Sequence, residues 1–548
     1  MQSSPLQEAR YQYNPALPGV FQKHGADVHA EAEVVDFPIA DQQAIRAAMP
    51  LTCDLPIVRF VPGSPQDRRP IHVGVVLSGG QAPGGHNVIA GLYDGLQRLS
   101  PDCQLHGFRG GPSGLLKNDS VVLTGSVIDR YRNTGGFDMI GSGRTKLETD
   151  AQFSKAAATC KELDLNAVVI VGGDDSNTNA CLFAEYCLAH RIDLLVIGCP
   201  KTIDGDLKNE WVETSFGFDT ATKVYSELIG NILRDANSSR KYWHFIKLMG
   251  RSASHIALEC ALQTHANLTI VSEDVREAGQ TLGRLVEDIA TAVARRAAAG
   301  RNFGVCLIPE GLIEFIPEIG ILIAELNDIV HEDAFAALGE GESRRTHIGS
   351  RLSDGSQRVF AALPDGIQDQ LLMDRDSYGN VQVSRIETEK LLIELVTRRL
   401  LGWKTAGTYV GMFSAQSHFL GYEGRCAAPS NFDASYCYSL GWTAVALIAA
   451  RKTGYLACVR NLAGSAADWQ PGGIPLAWMM NIERRHGADK PVIRKALVEL
   501  DGLPFRMLAE NRERWLMDDE YRYPGPIQYF GPDEICNAVT ETLRLERT

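Results

Sequence analysis

The sequence repeats one pattern: a short run of mostly apolar, β-branched residues, then a turn that often contains glycine, then a segment with apolar residues at helical spacing. Such runs occur at Ile71–Leu77, Ala167–Val171, Leu194–Gly198, Trp243–Leu248 and Phe303–Ile308. Strands that are apolar at nearly every position are buried on both faces, which is typical of parallel sheets covered by helices. The pattern therefore predicts an α/β protein.

The same hydrophobic periodicity predicts the other segments of the chain. Helices are predicted at about residues 87–99, 176–190, 218–234 and 252–264. Residues 1–70 show only patchy periodicity, which predicts an irregular extension partly ordered against the body. Residues 331 to about 389 are polar and break the strand–helix rhythm, which predicts an inserted, partly helical segment.

Length and charge exclude several classes of protein. The chain has 548 residues, of which 54 are basic and 67 acidic, for a formal net charge of −13. Such a field repels nucleic acid and anionic lipid, and this length indicates two or more domains or one elaborated fold. The longest apolar stretch, Tyr438–Ala450, is too short to span a bilayer.

The cysteines and the first residues indicate a compartment. The 12 cysteines are scattered and form no CxxC pair, which argues against a disulfide scaffold, a zinc site or a thioredoxin-like site. The Met-Gln-Ser-Ser-Pro start lacks the basic and apolar regions of a secretory signal. We therefore expect a reduced, cytoplasmic protein with neither nucleic-acid nor membrane partners.

The turns after the predicted strands are the expected ligand sites, because ligands of open parallel sheets bind at the carboxyl ends of the strands. The first such turn, Ser78–Asn87, is rich in glycines whose backbone N–H groups can approach an anion. It matches neither a P-loop nor a GxGxxG fingerprint. A tight strand–helix turn without a ligand explains it about equally well.

The second turn carries two adjacent carboxylates, Asp174 and Asp175. They suit a magnesium site, because magnesium takes one or two carboxylates together with phosphate oxygens. The alternative is that Asp175 or Ser176 only caps the next helix.

The third turn combines a cation with two more carboxylates. Lys201 is a point charge for phosphate, and Asp204 can take a proton from a hydroxyl nucleophile. Asp206 is placed to orient that base, although an isolated Asp-Gly-Asp most often marks a turn.

Three further segments place charged residues beside a glycine: Met249–Arg251, Pro309–Gly311 and Tyr422–Arg425. Taken singly, each charge is better explained as a solvated loop end than as a ligand.

Taken together, the motifs GGxxPG, GGDDS, PKTIDGDL, MGR, PEG and YEGR along residues 78–425 resemble the phosphofructokinase family, and more closely its pyrophosphate-dependent branch of long chains. The similarity extends from about residue 71 to the C-terminal region. PKTIDGD together with GGDDS is highly specific, whereas PEG alone carries no weight. The resemblance implies transfer of a phosphoryl group to the 1-hydroxyl of fructose 6-phosphate, giving fructose 1,6-bisphosphate.

The resemblance also implies an architecture of two Rossmann-like three-layer sub-domains facing a cleft. The donor sub-domain would comprise residues 71–235 and about 438–548, and the sugar sub-domain residues 236–437 with the insertion. The family's subunits associate through the sugar half, so a homo-oligomer is expected, a dimer for the long branch.

The resemblance assigns the site residues one by one. Asp204 is implied as the base that takes the hydroxyl proton, and Asp174 as the ligand of the Mg²⁺ cofactor. The other implied catalytic residues are Lys201, Asp175 and Arg251. The implied donor contacts are Gly79, Gly80, Arg144, Asp174 and Lys201. The implied sugar contacts are Thr202, Ile203, Asp204, Asp206, Lys241, Tyr242, Met249, Gly250, Arg251, Glu310, Tyr422, Glu423, Gly424 and Arg425.

One position departs from the family pattern. Tyr242 stands where the family has a basic residue that reaches across a subunit boundary to the sugar phosphate, and the neighbouring Lys241 could supply that charge.

Two positions predict pyrophosphate as the donor. Bacterial ATP-using relatives typically have glycine where this chain has Asp175 and Lys201. Asp175 would place bulk and negative charge where the α-phosphate of ATP lies, and pyrophosphate lacks that group. A pyrophosphate-driven reaction is expected to run in both directions, in glycolysis or gluconeogenesis.

Three other functions share part of this set of motifs. An ATP-dependent phosphofructokinase would keep everything except the donor. A non-catalytic regulatory subunit would be expected to lose catalytic carboxylates, which are present here. A GGD-type kinase acting on a nucleotide or a lipid would not be expected to carry PKTIDGD and MGR at these positions.

Overall fold

The structure is a computed structural model that describes residues 3–33, 35, 40–63, 69–330, 335, 341–373, 385–485 and 488–547, without the side chains of 484, 485 and 488. It divides into two compact units. The first comprises Met1–Ala221, Tyr422–Ala496 and Ile527–Arg547, and the second comprises Thr222–Gly421 and Leu497–Pro526.

The strands are, in chain order, β1 (Val28–Glu33), β2 (Ile57–Pro62), β3 (His72–Leu77), β4 (Gln104–Phe108), β5 (Ser120–Val122), β6 (Ala167–Gly172), β7 (Leu195–Thr202), β8 (Phe216–Gly217), β9 (Trp243–Leu248), β10 (Leu268–Thr269), β11 (Gly304–Pro309), β12 (Ala415–Leu420), β13 (Tyr455–Arg460), β14 (Gln470–Pro475), β15 (Met480–Arg485) and β16 (Ala488–Ile493).

The helices of the described residues are α1 (Pro5–Tyr11), α2 (Gly19–His24), α3 (Gln42–Ala48), α4 (Gly85–Leu99), α5 (Pro112–Lys117), α6 (Gly125–Ile128), α7 (Asp150–Glu162), α8 (Asp174–Ala189), α9 (Phe218–Ser239), α10 (His255–Thr264), α11 (Ser272–Glu277), α12 (Leu282–Ala298), α13 (Leu312–Phe315), α14 (Pro317–Val330), α15 (Glu342–Gly349), α16 (Asp354–Ala362), α17 (Asp365–Leu371), α18 (Thr388–Thr405), α19 (Tyr422–Arg425), α20 (Asn431–Ala449), α21 (Leu503–Asp518), α22 (Asp533–Cys536) and α23 (Glu541–Glu546).

The sheet of the first unit has a parallel centre. Ten strands of the described chain form it in the order β1-β2-β14-β13-β7-β6-β3-β4-β5, with β8 beside β7. The central strands β13, β7, β6, β3 and β4 are parallel to one another, whereas β14 and β5 pair antiparallel to the two ends of this set. Leu77 pairs with Val171, and Gly172 pairs with Pro200, so the carboxyl ends of β3, β6 and β7 lie at one edge.

The N-terminal residues are not the irregular extension that the sequence predicts. They form α1 to α3, and the antiparallel strands β1 and β2 join the main sheet through β14. These outer strands are short and partly exposed, and β1 reads Val-His-Ala-Glu-Ala-Glu. Half-exposed strands near the end of a sheet lack the continuous apolar run that reveals the buried strands.

The second unit contains its own sheet, in the order β10-β11-β9-β12, with every pair parallel. Leu248 pairs with both Pro309 and Leu420. The carboxyl ends of β9, β11 and β12 therefore meet at one edge, as the ends of β3, β6 and β7 do in the first unit.

Each unit has a separate hydrophobic core. In the first, Val168 and Val196 of the sheet pack with Phe183 of α8. In the second, Phe245 of β9 packs with Val293 of α12 and other apolar side chains. One sheet with a parallel centre and one fully parallel sheet, each with helices packed against it, confirm the predicted α/β class. Apolar burial of this extent is the main stabilising contribution.

The described part of the inserted segment is helical and packed. Helices α15, α16 and α17 bury Ile348, Phe360 and Leu371 in the core of the second unit. The rest of the predicted insertion at 331–334, 336–340 and 374–384 lies outside the described residues.

The apolar stretch at Tyr438–Ala450 belongs to α20, which is buried along most of its length. Within the described residues, every helix is too short or too polar to cross a membrane.

The compact units and the predicted sub-domains divide the chain at different residues. The first boundary falls at 221/222 near the start of α9, whereas the prediction places it at 235/236. Residues 422–437 join the first unit, and 497–526 join the second. The assignment of one unit to the donor and the other to the sugar stays a prediction.

Candidate active site

The loop after β3 is fixed by hydrogen bonds to its neighbours. The N–H of Ser78 donates to Val171 O at 2.8 Å, and the N–H of Gly79 donates to Gly143 O at 2.9 Å. Gly79 has φ +85°, a conformation that favours glycine. The Lys201 ammonium donates to Gly80 O at 2.8 Å. The predicted donor loop thus meets the predicted donor lysine.

The loop after β6 runs straight into α8. Gly173 is the N-cap, and Asp174 and Asp175 form the first turn of the helix. The predicted start at 176 was therefore two residues late, and the idea that Asp175 or Ser176 caps the helix was wrong. The Ser176 hydroxyl instead donates to Ser78 Oγ at 2.8 Å. Both carboxylates lie at the positive end of the helix dipole, where negative charge is stabilised.

Lys201 lies at the end of β7 and is 6% exposed. Burial lowers the pKa of its ammonium to about 8, and the positive charge of Arg425 acts in the same direction. Asp204 and Asp174 oppose the shift. The lysine is therefore a buried cation whose charge depends on the surrounding carboxylates.

Asp206 shows the opposite shift. Burial raises the pKa of its carboxyl to about 8, and the negative charges of Asp204 and Asp174 raise it further, while Lys495 opposes them. Three carboxylates thus interact at this edge. Like charges this close together disfavour simultaneous ionisation unless a cation joins them.

Asp204 is held by its own loop. Its N–H donates to Thr202 Oγ1 at 3.0 Å. Among the described residues, its Oδ1 is buried and finds no hydrogen-bond partner. A buried carboxylate oxygen without a partner is costly, so this atom is suited to accept a proton or to face a cation.

The same carboxylates suit magnesium. In the described chain, no group of three or more His, Cys, Asp or Glu side chains can hold a metal ion by itself. Magnesium instead binds through one or two carboxylates plus substrate phosphates. Asp174 and the open oxygen of Asp204 offer that donor set, and Asp174 also pairs with Lys495 at 3.5 Å.

Two arginines contribute charge to the donor loop. A Cβ atom on Gly80 would lie 3.0 Å from Arg425 Nη1, so the guanidinium lies directly against that loop. Arg144 is exposed and close enough to lower the pKa of Lys201. Arg425 was predicted for the sugar pocket, and the structure places it in the first unit beside the donor loop.

The other sugar-contact predictions of the first unit fall into different environments. Tyr422 and Glu423 are exposed in the single-turn helix α19, and Gly424 is buried there. Ile203 is completely buried, so only its backbone can face a ligand. Thr202 is half-buried at the end of β7.

In the second unit, the Met249 and Glu310 loops meet. The N–H of Gly250 donates to Glu310 Oε2 at 2.9 Å, and Glu310 is only 3% exposed. A Cβ atom on Gly311 would lie 2.0 Å from Arg251 O, so only glycine fits there. The structure thus brings together Met249, Gly250, Arg251 and Glu310.

Lys241 and Tyr242 do not join this group. They precede β9, whereas Met249 follows it. Six strand residues at ~3.3 Å each separate the two ends by about 20 Å. A contact of Lys241 or Tyr242 with a sugar across a subunit boundary, which the resemblance implies, stays a prediction.

Lys495 is the residue of this site that sequence reasoning missed. It follows β16 and reaches Asp174. No motif surrounds it, and nothing in the sequence connects it to the second and third turns.

Comparison with known sequences gives a consistent result. The profile of the phosphofructokinase family, "Phosphofructokinase", matches residues 72–362. The chain is 55% identical over its full length to the pyrophosphate–fructose 6-phosphate 1-phosphotransferase of Porphyromonas gingivalis, covering 100% of both chains. It is 49% identical to the subunit beta of the potato enzyme of that name, covering 99% of this chain and 94% of the relative.

Solved structures agree on the fold. The pyrophosphate-dependent phosphofructokinase of Nitrosospira multiformis superposes with a TM-score of 0.55 at 14% identity, covering 88% of this chain and 98% of the other. The protein of that name from Marinobacter aquaeolei gives a TM-score of 0.52 at 15% identity, covering 82% and 93%. The sequence motifs, the fold and these similarities together show that the chain belongs to the phosphofructokinase family.

Proposed function

We infer that the chain is a phosphotransferase that moves a phosphoryl group from pyrophosphate to the 1-hydroxyl of fructose 6-phosphate. The products are fructose 1,6-bisphosphate and phosphate. Full-length relatives at 55%, 54% and 49% identity carry the name of this activity. The structural observation that supports it best is the buried Lys201 ammonium on the glycine loop, beside Asp174 and Asp204.

The hydroxyl proton goes to Asp204. As the 1-oxygen of the sugar bonds to phosphorus, its proton moves to the Asp204 carboxylate, and the bond from phosphorus to the leaving phosphate breaks. The open Oδ1 of Asp204 is the acceptor that this step needs.

Magnesium is the proposed cofactor, with Asp174 as its protein ligand. When bound, magnesium offsets the charge of the donor phosphates and of the group in transfer. The protein places Asp174 and Asp175 at the amino end of α8. It also supplies three cations near them: Lys201, Arg144 and Arg425. These three cations hold and orient an anionic donor, and the amino end of α8 adds partial positive charge.

Arg251 is proposed to steady charge on the transferring group, because a guanidinium can do so without changing its protonation state. The proposed sugar contacts of the second unit are Met249, Gly250 and Glu310, arranged by the hydrogen bond between Gly250 and Glu310.

Donor choice is proposed to rest on Asp175 and Lys201. Asp175 places a carboxylate in the first turn of α8, where it would oppose the α-phosphate of a nucleotide. Lys201 supplies neutralising charge that a compact donor needs. An ATP-dependent enzyme is disfavoured for that reason.

The wider setting is also proposed. Pyrophosphate releases less free energy than ATP in cells, so the reaction runs in both directions. It can therefore serve glycolysis or gluconeogenesis. We propose a cytoplasmic homodimer.

A non-catalytic subunit is the second candidate function, since relatives include plant chains named subunit beta and subunit alpha 2, at 49% and 39% identity.

The test is formation of fructose 1,6-bisphosphate by the purified chain with fructose 6-phosphate, magnesium, and either pyrophosphate or ATP. Turnover with pyrophosphate and little with ATP is expected. Turnover only with ATP would overturn the donor assignment. No turnover with either donor would favour a non-catalytic subunit.

A further inference from the structure

A segment near the C-terminus is fastened onto the carboxylate loops of the first unit. The N–H of Ile493 donates to Thr178 Oγ1 on α8 at 3.0 Å. Three residues later, the N–H of Ala496 donates to Asp206 O at 2.7 Å. Arg494 is held between them by a bond from its N–H to Met479 O at 2.9 Å. The backbone around Lys495 is therefore fixed both to helix α8 and to the loop that carries Asp206.

Lys495 lies between these anchors and directs its charge to the site. Its ammonium is 3.5 Å from Asp174 Oδ2, and it is the cation that opposes the upward shift of the Asp206 pKa. The side chain is 28% exposed, so it interacts with two carboxylates while remaining accessible to a ligand. Residue 495 also lies outside the range 72–362 that the family profile matches.

Carboxylates and cations are balanced in number at this edge of the sheet. Asp174, Asp175, Asp204 and Asp206 give the edge four carboxylates. The cations that act on this edge are Lys201, Arg144, Arg425 and Lys495. A magnesium–pyrophosphate complex is itself anionic, so removal of one of these cations weakens the attraction that holds the donor at an edge lined with carboxylates.

We propose that Lys495 is a positioning residue of the donor site, which holds the Asp174 carboxylate and offsets its charge so that the anionic donor binds. This proposal rests on the proposed function. It predicts that Lys495 affects binding of pyrophosphate, and of phosphate in the reverse reaction, but not of the sugar.

The experiment compares the full-length wild type with Lys495→Met, Lys495→Arg and the control Lys490→Met. Lys490 is an exposed lysine on β16, five residues away. In Lys495→Met, the KM for pyrophosphate and the KM for phosphate should each rise about tenfold. The KM for fructose 6-phosphate should stay within about twofold. Lys495→Arg should restore most of the loss, and Lys490→Met should match the wild type.

A binding measurement separates this role from a structural one. Calorimetric titration with pyrophosphate in excess magnesium should show the same loss of affinity in Lys495→Met, with an unchanged melting temperature. A loss of kcat with unchanged KM for pyrophosphate, an equal rise in both substrate KM values, or no rescue by arginine would overturn the proposal while leaving the function intact. A wild type that neither binds nor uses pyrophosphate would overturn both.

Discussion

The carboxyl edges of the two parallel sheets follow one topology and differ in charge. At the edge of β3, β6 and β7, carboxylates and cations crowd together, and the pKa values of Lys201 and Asp206 move towards each other, each to about 8. At the edge of β9 and β11, the buried carboxylate of Glu310 accepts a backbone N–H. The first edge is arranged by electrostatics and the second by close backbone packing.

The difference teaches that topology places a site and side chains decide its chemistry. A dense set of opposed charges suits a charged donor and its metal. A carboxylate tied to a backbone amide, beside a glycine that admits no side chain, suits recognition of a polar molecule by shape. The following predictions test this difference between the two edges, from the largest expected effect to the smallest.

Replacement of the proposed base should have the largest effect. Asp204→Asn keeps the size of the side chain and removes its ability to take a proton. We expect kcat to fall by about 10³-fold, with the KM for pyrophosphate within about threefold of wild type, measured by bisphosphate formation. A fall of less than tenfold would show that another group takes the proton.

A change at the second edge should affect the sugar alone. Glu310→Ala leaves the Gly250 N–H buried without its acceptor, which costs about 1–3 kcal/mol. We expect the KM for fructose 6-phosphate to rise about tenfold and the KM for pyrophosphate to stay unchanged. Glu310→Gln retains an acceptor oxygen and serves as the control. An equal change in both KM values would erase the distinction between the edges.

The pH dependence of donor use should follow Lys201. The lysine pKa is lowered to about 8, so its charge is present below that pH and lost above it. The kcat/KM for pyrophosphate should therefore fall several-fold between pH 7.5 and pH 9. Because Arg keeps its proton, Lys201→Arg should move the fall to higher pH. A profile that does not move would assign the titration to another group, such as Asp206.

A smaller effect concerns the stability of the first unit. His86, in the first turn of α4, is completely buried, and burial lowers its pKa to about 4. Its Nε2 accepts the Met139 N–H at 3.3 Å, so the ring is neutral. The unfolded chain binds the proton more readily, so stability falls as pH drops from about 6.5 towards 4. The loss should be about 3 kcal/mol at pH 4.

Thermal unfolding at pH 7 and pH 4.5 measures this loss. His86→Gln, which cannot be protonated, should show a smaller drop in melting temperature between the two pH values. An equal drop in both proteins would exclude His86 as the cause.

The central strands and the motif loops could be predicted from the sequence. The apolar runs that became β3, β6, β7, β9 and β11 are buried on both faces, so their composition alone reveals them. Glycines mark the turns at their carboxyl ends, and topology then brings those turns together.

The remainder depends on tertiary contacts that leave little trace in the sequence. The outer strands β1 and β2 are half-exposed and partly charged, so they lack a continuous apolar signature. Helix α8 begins at Asp174, and its N-cap Gly173 makes no side-chain hydrogen bond. The sequence therefore contains no capping residue that would mark this start. Lys495 and Arg425 reach the donor loops from distant parts of the chain, and only the fold brings them there.

The most direct test of the account is the donor preference of Asp175→Gly and Asp175→Asn beside the wild type. The ratio of kcat/KM for pyrophosphate to that for ATP is measured with saturating fructose 6-phosphate and magnesium. The account predicts a wild type that strongly prefers pyrophosphate, a large gain in ATP use for Asp175→Gly, and an intermediate ratio for Asp175→Asn, which keeps the bulk and loses the charge. An unchanged ratio in Asp175→Gly would contradict the claim that this carboxylate excludes the nucleotide.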